Sequence, residues 1–219
     1  MSRPSQRRAQ PRAEAAGARE RIIQAALVEF AARGFDGAAT RQIAARAEVN
    51  QGLITYYFGD KEKLWKATMA WIFQQLIDSY TAKLTALEEV DDLTRLRLAI
   101  RHFIRFSAQR PELHRMMVHE GGVAGPRTRW LMRRFVAPMH AAMGQLIAAA
   151  QAAGASLPAI GRDELFWVLI GAGPHPFAMA AGIRELTGKD PTTKEAVEAW
   201  AAAIEVLLLG GRGAQRARP

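Results

Sequence analysis

Cysteine is absent from the 219 residues. That excludes a disulfide framework and any thiolate metal site, and it suits a reducing cytoplasm. Long apolar runs are missing too. The longest, residues 165–173, is too short to cross a bilayer, so no membrane partner is expected. Arg7-Arg8 is followed by no apolar core, so no secretion signal is read there. Strand-like alternation, internal repeats and heptad runs do not occur, which leaves helices as the regular structure. There is no Gly-rich phosphate loop, nucleophile elbow or paired-carboxylate arrangement. An enzyme is therefore not expected, and no cofactor is implied. The five histidines are His102, His114, His119, His140 and His175. His114 and His119 stand five apart, a spacing that does not put both on one helix face, so no metal site is expected.

What is present is apolar and basic. A chain of this length with 49% hydrophobic residues can bury one sizeable core and a small satellite domain. The formal net charge is +9. Residues 1–66 carry +5 of it and residues 212–219 carry +3, leaving +1 for the long middle. Positive charge gathered at the ends is the footprint of a nucleic-acid binder with a near-neutral remainder, although basic ends also aid solubility.

The stretch Thr40–Lys61, T-R-Q-I-A-A-R-A-E-V-N-Q-G-L-I-T-Y-Y-F-G-D-K, holds two short helical patterns. One covers 40–47 with Ile43 and Ala44 inward; the other covers 51–58 with Ile54 and Phe58 inward. Thr40 and Asn50 are N-cap residue types, and Val49 is placed to plug the turn between the helices. Such a pair is a helix-turn-helix, whose second helix fits the DNA major groove; an ordinary helical hairpin has the same pattern. Asn50, Gln51 and Gly52 open the second helix, where base-reading groups lie. The Gln51 amide can pair with adenine, and Gly52 lets the backbone approach closely. Thr55, Tyr56 and Tyr57 follow, able to reach phosphate or sugar; Tyr57 can equally pack inside. Thr40 and Arg41 open the supporting helix, where N–H groups and a cation favour a phosphate. Asp60 reads as the N-cap of the next helix. Lys61 would then oppose the helix dipole, which points it toward a phosphate instead.

Along the chain, residues 1–17 read as a disordered basic arm with Arg3, Arg7, Arg8 and Arg12, either free or able to enter a minor groove. A helix over 18–33 follows, on the stripe Ile22, Ile23, Ala26, Leu27, Phe30, Ala31, with Gly34 as a left-handed cap and Phe35 folding back. The small domain thus covers 18–63 and the body 64–210, with a basic disordered tail over 211–219. A linking helix is expected over 60–87, then helices over 93–108, 112–120, 127–153, 162–172, 176–187 and 193–209. Pro138 should kink or divide the helix over 127–153. The apolar helix 193–209, with those over 162–187, is the candidate face for pairing with a second copy; a buried core helix is the alternative. The break at 171–176 would leave carbonyls unpaired, and broken helices often line cavities. His175 there, with Trp71, Phe103, Phe106, Met117, Trp130, Met143, Trp167 and Phe177, sketches a mainly apolar pocket, although stripes of this kind are more often plain core.

Several spaced motifs carry a resemblance. They are A-x-x-x-F-x-x-x-G-F (Ala26, Phe30, Gly34, Phe35), T-R-Q-I-A from Thr40, A-E-V-N-Q-G-L-I-T-Y-Y-F from Ala47, and G-D-K-E-K-L from Gly59. Over about Arg21 to Leu64 the chain resembles the TetR-type (tetracycline-repressor-like) bacterial transcription regulators. The resemblance implies an all-α fold, with a three-helix helix-turn-helix DNA-binding domain and a larger helical ligand-binding and dimerisation domain. It implies a homodimer joined through a four-helix bundle of the last two helices. It implies contacts to double-stranded DNA, mostly phosphate, from Thr40, Gln51, Thr55, Tyr56, Tyr57 and Lys61. The implied function is a repressor released from a near-palindromic operator by a small-molecule inducer. Two positions depart from the family: Glu48 stands where Gly is common, and Thr55 where Tyr or His is common. A ligand-binding module whose helix-turn-helix contacts only protein, and a helical enzyme, are the other readings.

Overall fold

The computed structural model describes residues 9–85, 90–155, 157–158 and 161–210. Among these the regular structure is all helical: α1 (Ala9–Gly37), α2 (Thr40–Arg46), α3 (Gly52–Phe58), α4 (Lys61–Thr85), α5 (Asp92–Gln109), α6 (Pro111–Gly121), α7 (Pro126–Leu131), a π-helical turn (Met132–Val136), α8 (Ala137–Ala152), α9 (Arg162–Ala172), α10 (His175–Ala178), α11 (Ala180–Thr187) and α12 (Lys194–Leu209). No single helix among them is long and apolar enough to cross a membrane. The chain divides into two compact units, residues 1–74 with 115–123, and residues 75–114 with 124–219.

In the first unit α1 begins at Ala9, so residues 9–17 are helical rather than the disordered arm expected there. They are rich in Ala, Arg, Gln and Glu, all good helix formers, and Pro11 falls in the first turn, where its missing N–H costs nothing. The segment has no apolar stripe, so periodicity could not reveal it. Arg3, Arg7 and Arg8 lie outside the described residues, as do residues 86–89, which include the last two positions of the expected linking helix, and the tail 211–219. Ile22, Ile23, Ala26, Leu27, Phe30 and Ala31 are buried, with Ile43, Ala44, Ile54, Phe58, Leu64 and Trp65. At Gly34 the backbone turns to φ 67°, ψ −179°, a region open in practice to glycine alone. A Cβ there would also stand 3.4 Å from Nδ1 of His119. The turn lets the Phe35 ring stack on Phe30, centroids 6.1 Å apart, and meet Trp65 edge-on.

α2 ends in a Schellman motif. Val49 N–H donates to Ala44 O and Glu48 N–H to Ala45 O, with Glu48 at φ 53°. α8 ends in the same two bonds, Ala155 to Ala150 and Gly154 to Gln151, but with glycine at the left-handed position. The non-glycine at position 48 is thus a local strain.

The second unit packs α5, α8, α9 and α12 around Leu96, Ile100, Ile104, Ile147, Leu165, Leu169, Phe177, Val197, Ile204 and Leu208. Along the edge of α5 and α12 runs an ion-pair ladder. Arg105 Nε and Nη2 donate to Glu198 at 2.6 and 2.7 Å, Arg101 Nε to Glu205 at 2.6 Å, and Arg97 stands 3.3 Å from Glu205. The hydrogen bond from Arg105 holds the Glu198 carboxyl below its usual range. The division expected at Pro138 is present: the chain widens into the π-helical turn just before α8, where Pro138 has no N–H to continue the ladder.

His102 is buried on α5 and meets Ser79 on α4, Nε2 to Oγ 3.0 Å. The Ser79 hydroxyl donates to Leu76 O, so its oxygen accepts from His102 Nε2–H. That sets the neutral tautomer and leaves Nδ1 a buried acceptor without a partner. Burial, then the charge of Lys83, holds His102 below the usual imidazole range; the Leu76 carbonyl draws it up and Arg105 pushes it further down. The Tyr80 ring faces it at 5.9 Å. Burial, then His175, lowers His114 in the same sense.

Two outcomes follow from these placements. Glu48→Gly should stabilise the chain by about 0.5–1 kcal/mol, since relief of the left-handed strain exceeds the extra entropy glycine brings to the unfolded state. A thermal melt checks it, with a midpoint raised by about 1–3 °C. The depressed histidines make the folded chain bind fewer protons than the unfolded one. Their contribution is therefore complete above the unfolded imidazole value of about 6.5 and is lost as pH falls below it. Urea unfolding from about pH 7.5 to 5 should show that decline, and His102→Gln, which keeps a donor toward Ser79, should flatten it.

Candidate nucleic-acid interface

α2 and α3 turn Ile43, Ala44, Ala47, Ile54 and Phe58 inward and leave a polar row outside. Arg41, Asn50, Gln51, Gly52, Thr55 and Tyr56 are exposed, while Thr40, Tyr57 and Lys61 are half-buried. All nine expected DNA-facing residues thus lie on one small unit, none of them in its core. Gln51 Nε2 donates to Thr40 Oγ1 at 3.2 Å, tying the start of α3 to the start of α2. Asn50 Oδ1 accepts from Gly52 N–H at 2.8 Å and so satisfies the first free donor of α3, although the N-cap position itself is Gln51. Tyr56 is 78% exposed and meets the Tyr57 ring edge-on at 5.0 Å; Tyr57 in turn faces Phe58.

Two other local expectations change. Thr40 is not the N-cap of α2. Ala39 takes that place in an extended conformation without a side-chain bond, and the Thr40 hydroxyl accepts from Gln51 instead. Lys61 does open α4, but its ammonium donates to Asp36 O at 3.2 Å and lies 4.8 Å over the Phe35 ring. Those contacts answer the dipole mismatch within the unit and leave other ammonium hydrogens outward. The Asp60 cap is as expected, its Oδ1 accepting from Lys63 N–H at 2.7 Å. That bond, then the Lys63 ammonium, holds the Asp60 carboxyl below its usual range.

The scaffold beneath the row rests on residues that periodicity did not single out. Glu29, 3% exposed on α1, accepts from Arg33 Nη1 on one oxygen and from Arg46 Nε on the other, the latter at 3.0 Å. Arg21 Nε donates to Ala47 O just beyond α2. The sequence signal was an acid set among the apolar positions of α1, four residues before an arginine. Cations in this unit are mostly engaged. Arg19 lies over Phe58, Lys63 pairs with Asp60 and Lys66 with Glu62. Among the described residues 17–66, Arg41 is the cation with no such contact.

The nine residues expected to line a ligand pocket are divided between the two compact units. Trp71 and Met117 belong to the first compact unit, the other seven to the second. Phe106 and Phe177 are buried, and Phe103 and Met143 pack against the core. Trp130 packs edge-on against Phe135. Trp167 is 54% exposed, and His175 is also exposed. The break between α9 and α10 is filled rather than hollow. Trp200 Nε1 donates to Gly173 O at 2.9 Å, and a Cβ at Gly173 would stand 2.7 Å from Ile104 Cδ1. Helical spacing reported burial and could not report whether the far side was space or protein. A surface cleft of about 300 Å³ does lie between α8 and α9, edged by His140, Gln145, Arg162 and Asp163, and it contains none of those nine.

Residues 22–68 match the bacterial regulatory proteins of the tetR family. The HTH-type transcriptional regulator BetI of Yersinia pestis (strain Pestoides F) is 37% identical over 79 residues, which are 36% of this chain and 40% of that protein. The match thus spans well under half the length of this relative. Two solved structures share the fold over most of the chain. AibR in complex with isovaleryl coenzyme A and operator DNA is 16% identical, with 88% of this chain and 98% of that one covered and a TM-score of 0.69. FadR from Bacillus subtilis in complex with stearoyl-CoA is 17% identical, with 88% and 99% covered and a TM-score of 0.64. At these identities the likeness is one of fold. The outward row of α2 and α3 therefore stands on a segment, residues 22–68, that matches the N-terminal domain of the tetR family of bacterial regulatory proteins.

Proposed function

We propose that the chain is a homodimeric transcriptional repressor, released from a near-palindromic operator by a small, mainly apolar inducer. The observation that carries this is the polar row on α2 and α3, with Arg41, among the described residues, unengaged beside it. Gln51 reads base edges from the start of the recognition helix. Thr40, Arg41 and Lys61 hold phosphates, while Asn50 and Gly52 shape the helix start that enters the groove. Tyr56 and Tyr57 reach sugar or phosphate, and Thr55 makes a shorter contact than the tyrosine or histidine common in the family.

The second copy pairs through α9, α11 and α12. α12 buries Val197, Ala201, Ile204 and Leu208 on one side and leaves Val206 and Leu207 exposed on the other. Trp167 and Val168 of α9 and Leu186 of α11 are exposed as well. Helices apolar on both sides call for cover on both. A two-fold dimer presents its recognition helices to half-sites about 34–36 Å apart. A ligand that favours a different spacing in the body breaks contacts on both half-sites together. The two fold neighbours were solved with acyl-CoA ligands, so free fatty acids and acyl-CoA thioesters of matched chain length are tested side by side, the acyl chain being the apolar part common to both.

Binding of the full chain to its own upstream DNA should weaken steeply with salt. Arg41→Ala should reduce the slope by about 0.9, and Gln51→Ala should cost about 1–3 kcal/mol on the preferred fragment alone. Absent or salt-independent binding to every upstream fragment would sink the proposal. In sedimentation at micromolar concentration the chain should run at twice its 24.1 kDa, and Leu207→Arg should shift it toward the monomer. A monomer mass for the unaltered chain overturns the pairing.

A further inference from the structure

We propose that Glu29 is a positioning residue for DNA reading, one that also withholds two arginines from the DNA; this rests on the DNA-binding role proposed above. Its carboxyl is buried, and each oxygen is taken by a different guanidinium, Arg33 from its own helix and Arg46 from the last position of α2. Charge-assisted bonds of this kind are short and directional. The two guanidinium side chains are themselves 44% and 50% exposed, so each reaches from solvent inward to the same acid. Arg21 fixes the neighbouring Ala47 carbonyl to α1. α2 is thus held at its C-terminal end by two bonds to α1, and at its start by the Gln51–Thr40 bond to α3.

Removing the charge at position 29 has two opposed effects. It loosens the seat of α2, on which the placing of Gln51 depends. It also releases two cations able to turn to phosphates, which carry no sequence information. Binding to the operator should therefore weaken while binding to unrelated DNA does not. A defect confined to the core would lower both together.

The test compares the full chain with Glu29→Gln by salt titration on two duplexes of equal length, the upstream fragment bound most tightly and a scrambled copy. The ratio of specific to non-specific affinity should fall about tenfold or more, the order that one lost base contact brings. The salt slope on scrambled DNA should steepen by about 0.9 for each arginine that reaches a phosphate. An unchanged ratio, or affinities that fall together with the melting temperature, overturns the inference. Should Glu29→Gln fail to fold by circular dichroism, Arg46→Gln carries the test. It cuts the tie to α2 and releases no new cation, so the ratio should fall with the scrambled-DNA slope no steeper; an unchanged ratio again overturns it. An unaltered chain that binds no DNA defeats the DNA-binding role itself, whereas one that binds DNA with its ratio insensitive to both substitutions defeats this inference alone.

Discussion

Helices of seven residues do not stand by themselves. A two-turn helix satisfies too few of its own hydrogen bonds to offset the cost of nucleating it, so its stability comes from what it packs on. α2 and α3 are both of that length. Each offers two buried side chains, Ile43 and Ala44 from one and Ile54 and Phe58 from the other. The angle between them, and hence any surface they share, follows from the long buried stripe of α1 and from the buried start of α4 at Leu64 and Trp65. The backbone turn at Gly34, which lets Phe35 stack on Phe30 and meet Trp65 edge-on, belongs to the same constraint. So does the Schellman turn at Glu48, where the chain accepts local strain to enter α3 in the right direction.

The helices were legible because a stripe repeating every three or four residues requires a solid core on one side. That held for α4, α5, α9 and α12 to within a residue or two at most boundaries. Local chemistry was legible where one side chain had one task, as at Asp60 and Gly34. It failed where two tasks competed. Thr40 has the right hydroxyl for a cap, but Ala39 reached the extended conformation first and Gln51 claimed the hydroxyl. The segment 9–17 failed for a different reason, since a helix without an apolar face leaves no periodic trace. Phe106 and Phe177 are buried as their spacing predicts, but spacing does not distinguish the lining of a cavity from plain core. What occupies the break at 171–176, the Trp200 indole on the Gly173 carbonyl, comes from a helix more than twenty residues further on.

Charge shows most clearly what a sequence can and cannot say. Counting placed the excess of cations in residues 1–66 and a near balance in the middle. The balance in the middle has a structural form, three arginines of α5 laddered against two glutamates of α12. The excess at the front is less free than its sum suggests. Glu29 takes up Arg33 and Arg46, Asp36 and Phe35 hold Lys61, and Ala47 holds Arg21. The field of the unit at long range depends on the sum, because a paired cation beside a buried acid still leaves the surplus elsewhere. Contact at short range depends on which groups are unengaged, and there Arg41 stands with the neutral amide, hydroxyl and phenol groups of Gln51, Thr55 and Tyr56. Under the proposed DNA-binding role, a surface so divided separates attraction from discrimination. Diffuse positive charge would draw in any polyanion and weaken with salt, while a few neutral donors and acceptors, held by bonds such as Gln51 to Thr40, would distinguish one groove from another.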